Sequence, residues 1–194
     1  MSRHLPAAPT VVIVPGLRDH VEEHWQTLLA ADLTEAGRAV RTVPPLTKDR
    51  LSREARVAAL AQVIEKIDGP VVLVAHSAGV ITVVHWSQEH RADVRGALLV
   101  TPPDFEVPLP EGYPTPELLD EHGWTPVPRA VLPFPGIVAA SSDDPLAALD
   151  RVTELARHWA CRLVEVGAVG HLNPASGHGP WPRAADLLRD LEPS

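Results

Sequence analysis

The chain of 194 residues contains two lysines, Lys48 and Lys66, one cysteine, and no long apolar run. A lone Cys161 cannot close an intrachain disulfide, which excludes a disulfide scaffold and makes a reducing cytoplasm the expected location. The first ten residues lack the apolar stretch of a signal peptide. Runs such as Gly96-Ala97-Leu98-Leu99-Val100 fall far short of the ~20 residues that span a bilayer, so a soluble protein without a membrane partner is expected. Positive charge is also in deficit: 17 Lys and Arg stand against 25 Asp and Glu, a net charge of -8, with no basic run. Nucleic-acid affinity draws on a basic surface, so no nucleic-acid partner is expected.

Proline is abundant at 21 residues, about twice the usual share, while glycine is held to 12 with no collagen-like period. With 45% hydrophobic and 22% charged residues, one globular domain over 1–194 is expected, with the prolines as ordered punctuation.

Short β-branched runs alternate with stretches of helical period, which predicts an α/β fold with a parallel sheet. Six strands are expected at 11–14, 39–43, 71–75, 96–100, 136–140 and 162–166. They are nearly continuous apolar runs, as strands are when helices cover both faces. Helices are expected at 25–36, 51–67, 78–89, 145–159 and 181–191. Residues 101–135 break the alternation with ten prolines over about 35 residues, too long for an ordinary connection. They are expected to cover a site, the alternative being a loop that wraps the sheet edge.

After the third expected strand the sequence reads Ala75-His76-Ser77-Ala78-Gly79 and runs straight into a helical stretch. That is a strand, a sharp turn with Ser77 at its apex, and a helix, the arrangement of a nucleophile elbow with alanine at the first small position. By itself, a serine there is more often a helix cap than a nucleophile. A nucleophilic serine needs a base, oriented by an acid. His171 follows the sixth strand, and Asp143 and Asp144 follow the fifth. Asp144 is preferred as the acid because Pro145 fixes the direction of the residue before it; Asp143 stays open. The backbone N–H groups of Ala78 and Leu17 are the expected oxyanion donors, Leu17 lying in the turn after Val14-Pro15-Gly16.

Taken together, these pieces resemble the small α/β-hydrolases of the retinoblastoma-binding-protein-nine type. The resemblance rests on Val14-Pro15-Gly16 with His24-Trp25-Gln26, the elbow, the run from Gly96 to Val100, Leu132-Pro133-Phe134-Pro135 with Ala140 to Pro145, and above all Gly170 to Pro182. It covers nearly the whole chain. The resemblance implies a three-layer α/β-hydrolase-like fold, a six-stranded sheet of order 2-1-3-4-5-6, a Ser77, Asp144, His171 triad, and esterase activity on small acyl esters. Thioesters are a variant of that substrate class. Acyl transfer by the same triad, or a hydrolase-fold protein-binding module, are the alternatives. Neither cofactor nor metal is required.

Other residues read more quietly. His76 is expected to be a satisfied, partly buried histidine, and His178 a loop or rim residue. The run from His20 to His24 formally matches a zinc motif, but no third ligand is evident and zinc is not expected. Instead His24 and Trp25 are expected to shape one pocket wall. Among the five tryptophans, Trp124 is the one expected to face substrate, while core packing accounts for most others and for Cys161.

Overall fold

The computed structural model of the chain describes residues 8–18 and 21–192. Six strands form one parallel sheet: β1 (Thr10–Val14), β2 (Val40–Thr42), β3 (Val71–His76), β4 (Val94–Val100), β5 (Gly136–Ala140) and β6 (Arg162–Glu165). Their order is β2-β1-β3-β4-β5-β6, as the resemblance implied. The helices are α1 (Trp25–Glu35), α2 (Arg53–Ile64), α3 (Ala78–Glu89), α4 (Pro116–Glu121), α5 (Leu149–His158) and α6 (Arg183–Leu191).

Why the strands read as unbroken apolar runs follows from the pleat. Successive side chains point to opposite faces, and both faces are buried. Val11, Ile13, Val72, Val74, Leu98 and Val100 pack with Trp25 and Leu29 of α1 and Leu187 and Leu188 of α6. Val12, Val14, Leu73, Ala75 and Leu99 point the other way, against α2, α3 and α5.

Helix ends are set by local hydrogen bonds. Ser52 caps α2 by accepting from the Ala55 N–H at 3.1 Å, so the helix starts two residues later than its apolar stripe suggested. The α5 helix begins at Leu149 rather than 145, because the Asp144 carboxylate accepts from the Leu146 N–H at 2.9 Å and holds the chain in a local turn.

Residues 101–135 contain a helix the sequence reading missed. Thr115 caps α4 by accepting from the Leu118 N–H, with Pro116 in its first turn. Much of the segment packs down: Phe105, Leu119, Trp124, Val127, Leu132 and Phe134 join the core on the α2, α3 and α5 side. Glu106 ties it there, accepting from the Val127 N–H at 2.9 Å and pairing with Arg129 and with Arg151 of α5. Cys161 lies beneath β5, where a Cβ on Gly136 would come within 2.4 Å of its sulfur, and burial pushes its thiol up to about 12.

Candidate active site

Ser77 occupies the one-residue step between β3 and α3 with φ 55° and ψ -129°, a conformation L-residues rarely adopt. Two bonds clamp it there: the Ser77 N–H donates to Val100 O at 3.0 Å, and the Val80 N–H donates to Ser77 O at 2.8 Å. The sharp turn also needs helix and strand to meet closely. A Cβ on Gly79 would lie 2.2 Å from Val14 O and 2.8 Å from Pro15 O, so only glycine fits that position.

The Ser77 side chain makes no capping bond to its helix. Instead its Oγ lies 2.8 Å from His171 Nε2. On the other side of the ring, His171 Nδ1 is 2.9 and 3.0 Å from the two Asp144 oxygens. A carboxylate only accepts, so Nδ1 carries the ring proton and Nε2 is left to accept from the serine hydroxyl. Both partners are withdrawn from water, with side chains 4% and 2% exposed. The structure thus brings Ser77, His171 and Asp144 into one hydrogen-bonded chain.

Asp143 does different work. It accepts from the Gly170 N–H at 2.7 Å and from the Ser141 hydroxyl at 2.9 Å, tying the loop after β5 to the loop that carries His171. The bond from Gly170, helped by the Ser141 hydroxyl, holds its carboxyl below the ordinary value. His171 itself is further fixed through its N–H, which donates to Ser176 Oγ at 3.0 Å.

His76, next to the serine, donates from Nε2 to His171 O at 2.9 Å. Burial, reinforced by the neighbouring His171 and His24 rings, lowers its pKa well below 6.5 and keeps it neutral. That agrees with the expected satisfied histidine. His178 donates its N–H to Asn173 O at 3.1 Å and does not line the cavity, so of its two expected roles the loop one holds.

A cavity of about 400 Å³ opens above Ser77. Its apolar walls include Leu17, Val21, Leu51, Phe105 and Leu146, and the 101–135 segment contributes Pro103, Tyr113 and Pro114 as well. Gly16 sits against the serine: a Cβ there would be 3.1 Å from Ser77 Cβ and 3.5 Å from Oγ. Leu17 follows directly, and Ala78 lies in the first turn of α3, where N–H groups have no intrahelical acceptor.

Of the pocket residues expected from sequence, His24 lines the cavity, its Nδ1 accepting from the Gln26 N–H at 3.1 Å to cap α1. Trp25 and Trp124 do not. Trp25 is 1% exposed and packs edge-on to His76 and Trp181. Trp124 is fully buried against Phe105, its indole N–H donating to Leu51 O at 2.6 Å. Both tryptophans are core residues: the Trp124 indole N–H finds a carbonyl, whereas that of Trp25 is buried without a hydrogen-bond partner among the described residues and its ring is held by packing alone. His20, half of the zinc-like motif, lies outside the described residues; those described hold no cluster of three metal-ligating side chains.

Two residues escaped the sequence reading. Gln26 is fully buried and donates to Val14 O at 3.3 Å and Val74 O at 3.0 Å, bracing the sheet end beneath the site. Arg56, 9% exposed on α2, donates to Gly16 O at 3.0 Å, Leu17 O at 3.1 Å and Arg50 O at 2.9 Å. Its place four residues before Leu60, on the apolar stripe of α2, was the available signal.

A doubly covered parallel sheet in this strand order, with a positive-φ serine at the turn after its third strand, defines an α/β-hydrolase. A family model described as serine hydrolase matches residues 11–190, and the chain belongs to that family. No curated protein matches the sequence. Among solved structures, a protein described as a YdeN-like hydrolase from Pectobacterium atrosepticum is 27% identical, aligned over 95% of this chain and 92% of that one with a TM-score of 0.74. The ydeN gene product of B. subtilis shares 22% identity over 95% and 98% of the two chains, also at a TM-score of 0.74. A thermophilic esterase from Thermogutta terrifontis has the same fold at 16% identity, a TM-score of 0.64 and coverage of 97% and 92%.

Proposed function

We propose that the protein hydrolyses carboxylic esters, thioesters included, through an acyl-enzyme on Ser77. The observation that carries this reading is the buried chain from Asp144 through His171 to Ser77 Oγ, with the serine in a strained turn at the floor of an apolar cavity. His171 Nε2 takes the hydroxyl proton as Oγ bonds to the acyl carbon. Collapse of the tetrahedral intermediate breaks the ester bond, and the leaving alcohol departs with that proton. Water then loses a proton to His171 and attacks the acyl-enzyme; the carboxylic acid leaves and Ser77 regains its hydrogen. Asp144 holds the ring in the required tautomer and stabilises its cationic form.

The negative charge that develops on the carbonyl oxygen is met by the N–H groups of Leu17 and Ala78. Support for that assignment is the closeness of Gly16 to the serine and the open first turn of α3. No cofactor enters these steps. In this reading the protein is a cytoplasmic enzyme of the retinoblastoma-binding-protein-nine type acting on a small-molecule ester. Ser77→Ala is expected to abolish labelling by a fluorophosphonate probe and to cut hydrolysis of 4-nitrophenyl acetate by at least about 10⁴-fold while the fold persists. Labelling that survives this substitution would overturn the assignment.

A further inference from the structure

We propose that the natural substrate is an ester bearing a free carboxylate, recognised by Arg18 and Arg50; this rests on the hydrolase reading above. The chain as a whole carries a net charge of -8, yet the charged side chains among the described cavity-lining residues are these two arginines, with no aspartate or glutamate. Neither forms an ion pair among the described residues, whereas Arg129 and Arg151, outside the cavity lining, are committed to Glu106. Arg18 is also held in place: it donates to Gly112 O at 3.0 Å and its guanidinium lies 4.5 Å over the Tyr113 ring. A guanidinium has five N–H donors in a fixed fork, so one bond to Gly112 leaves capacity for a carboxylate. Apart from Ser77, His171 and the polar His24, Gln26, His76, Tyr113 and Asn173, the remaining lining is apolar or backbone, which suits a substrate with a hydrocarbon body and one anionic end.

The test compares two series: 4-nitrophenyl half-esters of glutaric and adipic acid against 4-nitrophenyl butyrate and hexanoate, and the butyryl ester of 3-hydroxybenzoate against phenyl butyrate. In at least one series the carboxylate member is expected to have a kcat/KM roughly tenfold higher or more, mostly through KM, as a charge-assisted contact gives. That advantage shrinks at high salt, and it falls toward one in Arg18→Gln/Arg50→Gln. Neutral esters cleaved as well as or better than their anionic partners in both series, by an enzyme whose Ser77 takes the probe, would overturn the proposal alone. Wild-type Ser77 that resists the probe would overturn the hydrolase reading with it.

A separate observation carries a second inference. The geometry points to Arg56 as a positioning residue for the oxyanion donor. Its guanidinium bonds Gly16 O, which belongs to the same peptide group as the Leu17 N–H. In a trans peptide the two groups point in opposite directions, so anchoring the oxygen on α2 fixes the N–H on the other side. The cationic donor also polarises the amide and strengthens that N–H as a donor.

Arg56→Met is expected to lower kcat on 4-nitrophenyl acetate by about 10–100-fold, less than outright loss of an oxyanion donor, with KM within about threefold and the midpoint of the pH–rate profile unmoved. Arg56→Lys recovers part of the rate and serves as the measurement should the methionine variant fold poorly. A folded variant with kcat intact, or with the loss entirely in KM, would overturn this role. Fluorophosphonate labelling of wild-type Ser77 separates that result from failure of the hydrolase reading.

Discussion

Two neighbouring aspartates illustrate how little separates a carboxylate that faces a histidine ring from one that faces the backbone. Asp144 faces the His171 ring with both oxygens, while Asp143 faces the backbone of Gly170. Asp144→Asn is expected to reduce kcat on 4-nitrophenyl acetate by about 10⁴-fold, because an amide can present a donor to Nδ1 and favour the wrong tautomer. Asp143→Asn keeps an acceptor for Gly170 and costs less than about tenfold. Steady-state kinetics on the two variants checks both. The choice between the aspartates was legible in the sequence only as a bias from Pro145; in the structure it is Asp144 whose carboxylate meets both the His171 ring and the Leu146 N–H. Trp124 shows the opposite case. An aromatic residue in a proline-rich segment looks exposed, and nothing local announces that Leu51, 73 residues away, supplies the carbonyl that buries it.

At the level of elements, legibility tracked burial. The strands covered on both faces, such as β3 and β5, could be read closely because every position but the terminal His76 of β3 is apolar. The short α4 could not: Leu119 is its one buried residue, and six residues show no period. The junction of β3, α3 and β1 is the least tolerant place in the fold. Gly79→Ala forces a methyl into the Val14 carbonyl, and is expected to destabilise the protein by about 1–3 kcal/mol or more. It should also reduce probe labelling of Ser77, since relief requires α3 to move. Urea unfolding, paired with fluorophosphonate labelling at low denaturant, measures both effects.

Across the whole molecule, acid is the condition that loads two buried histidines and a partly exposed carboxylate at once. Burial lowers the pKa of His76 and of His85, the latter despite the bond it donates to Trp124 O. For Glu106 burial acts to raise the pKa, but bonds from Arg129 and the Val127 N–H outweigh it and the net shift is downward. In each case the unfolded chain binds protons more readily than the folded one, so stability rises with pH through the interval between the two values. The histidine contributions are complete above about pH 6.5 and are lost as pH falls toward their folded values. That of Glu106 is complete above about 4.5 and fades below it. Urea midpoints are therefore expected to hold steady from pH 8 to 7, decline below 6.5, and decline further below 4.5. His76→Asn should flatten the first decline without removing it, because His85 carries the same sign.

Cys161 gives this chain a practical property. With its thiol partly buried against Gly136 of β5 and pushed up to about 12, the thiolate at pH 7.5 is on the order of one part in 10⁴ to 10⁵. Maleimides and iodoacetamides at that pH therefore meet an almost silent background. A cysteine introduced at the exposed Val131 or Val107 of the 101–135 segment would take a fluorophore or spin label alone, with the native thiol left in place. The surroundings and mobility of the 101–135 segment can then be read from a single label on an otherwise unaltered chain.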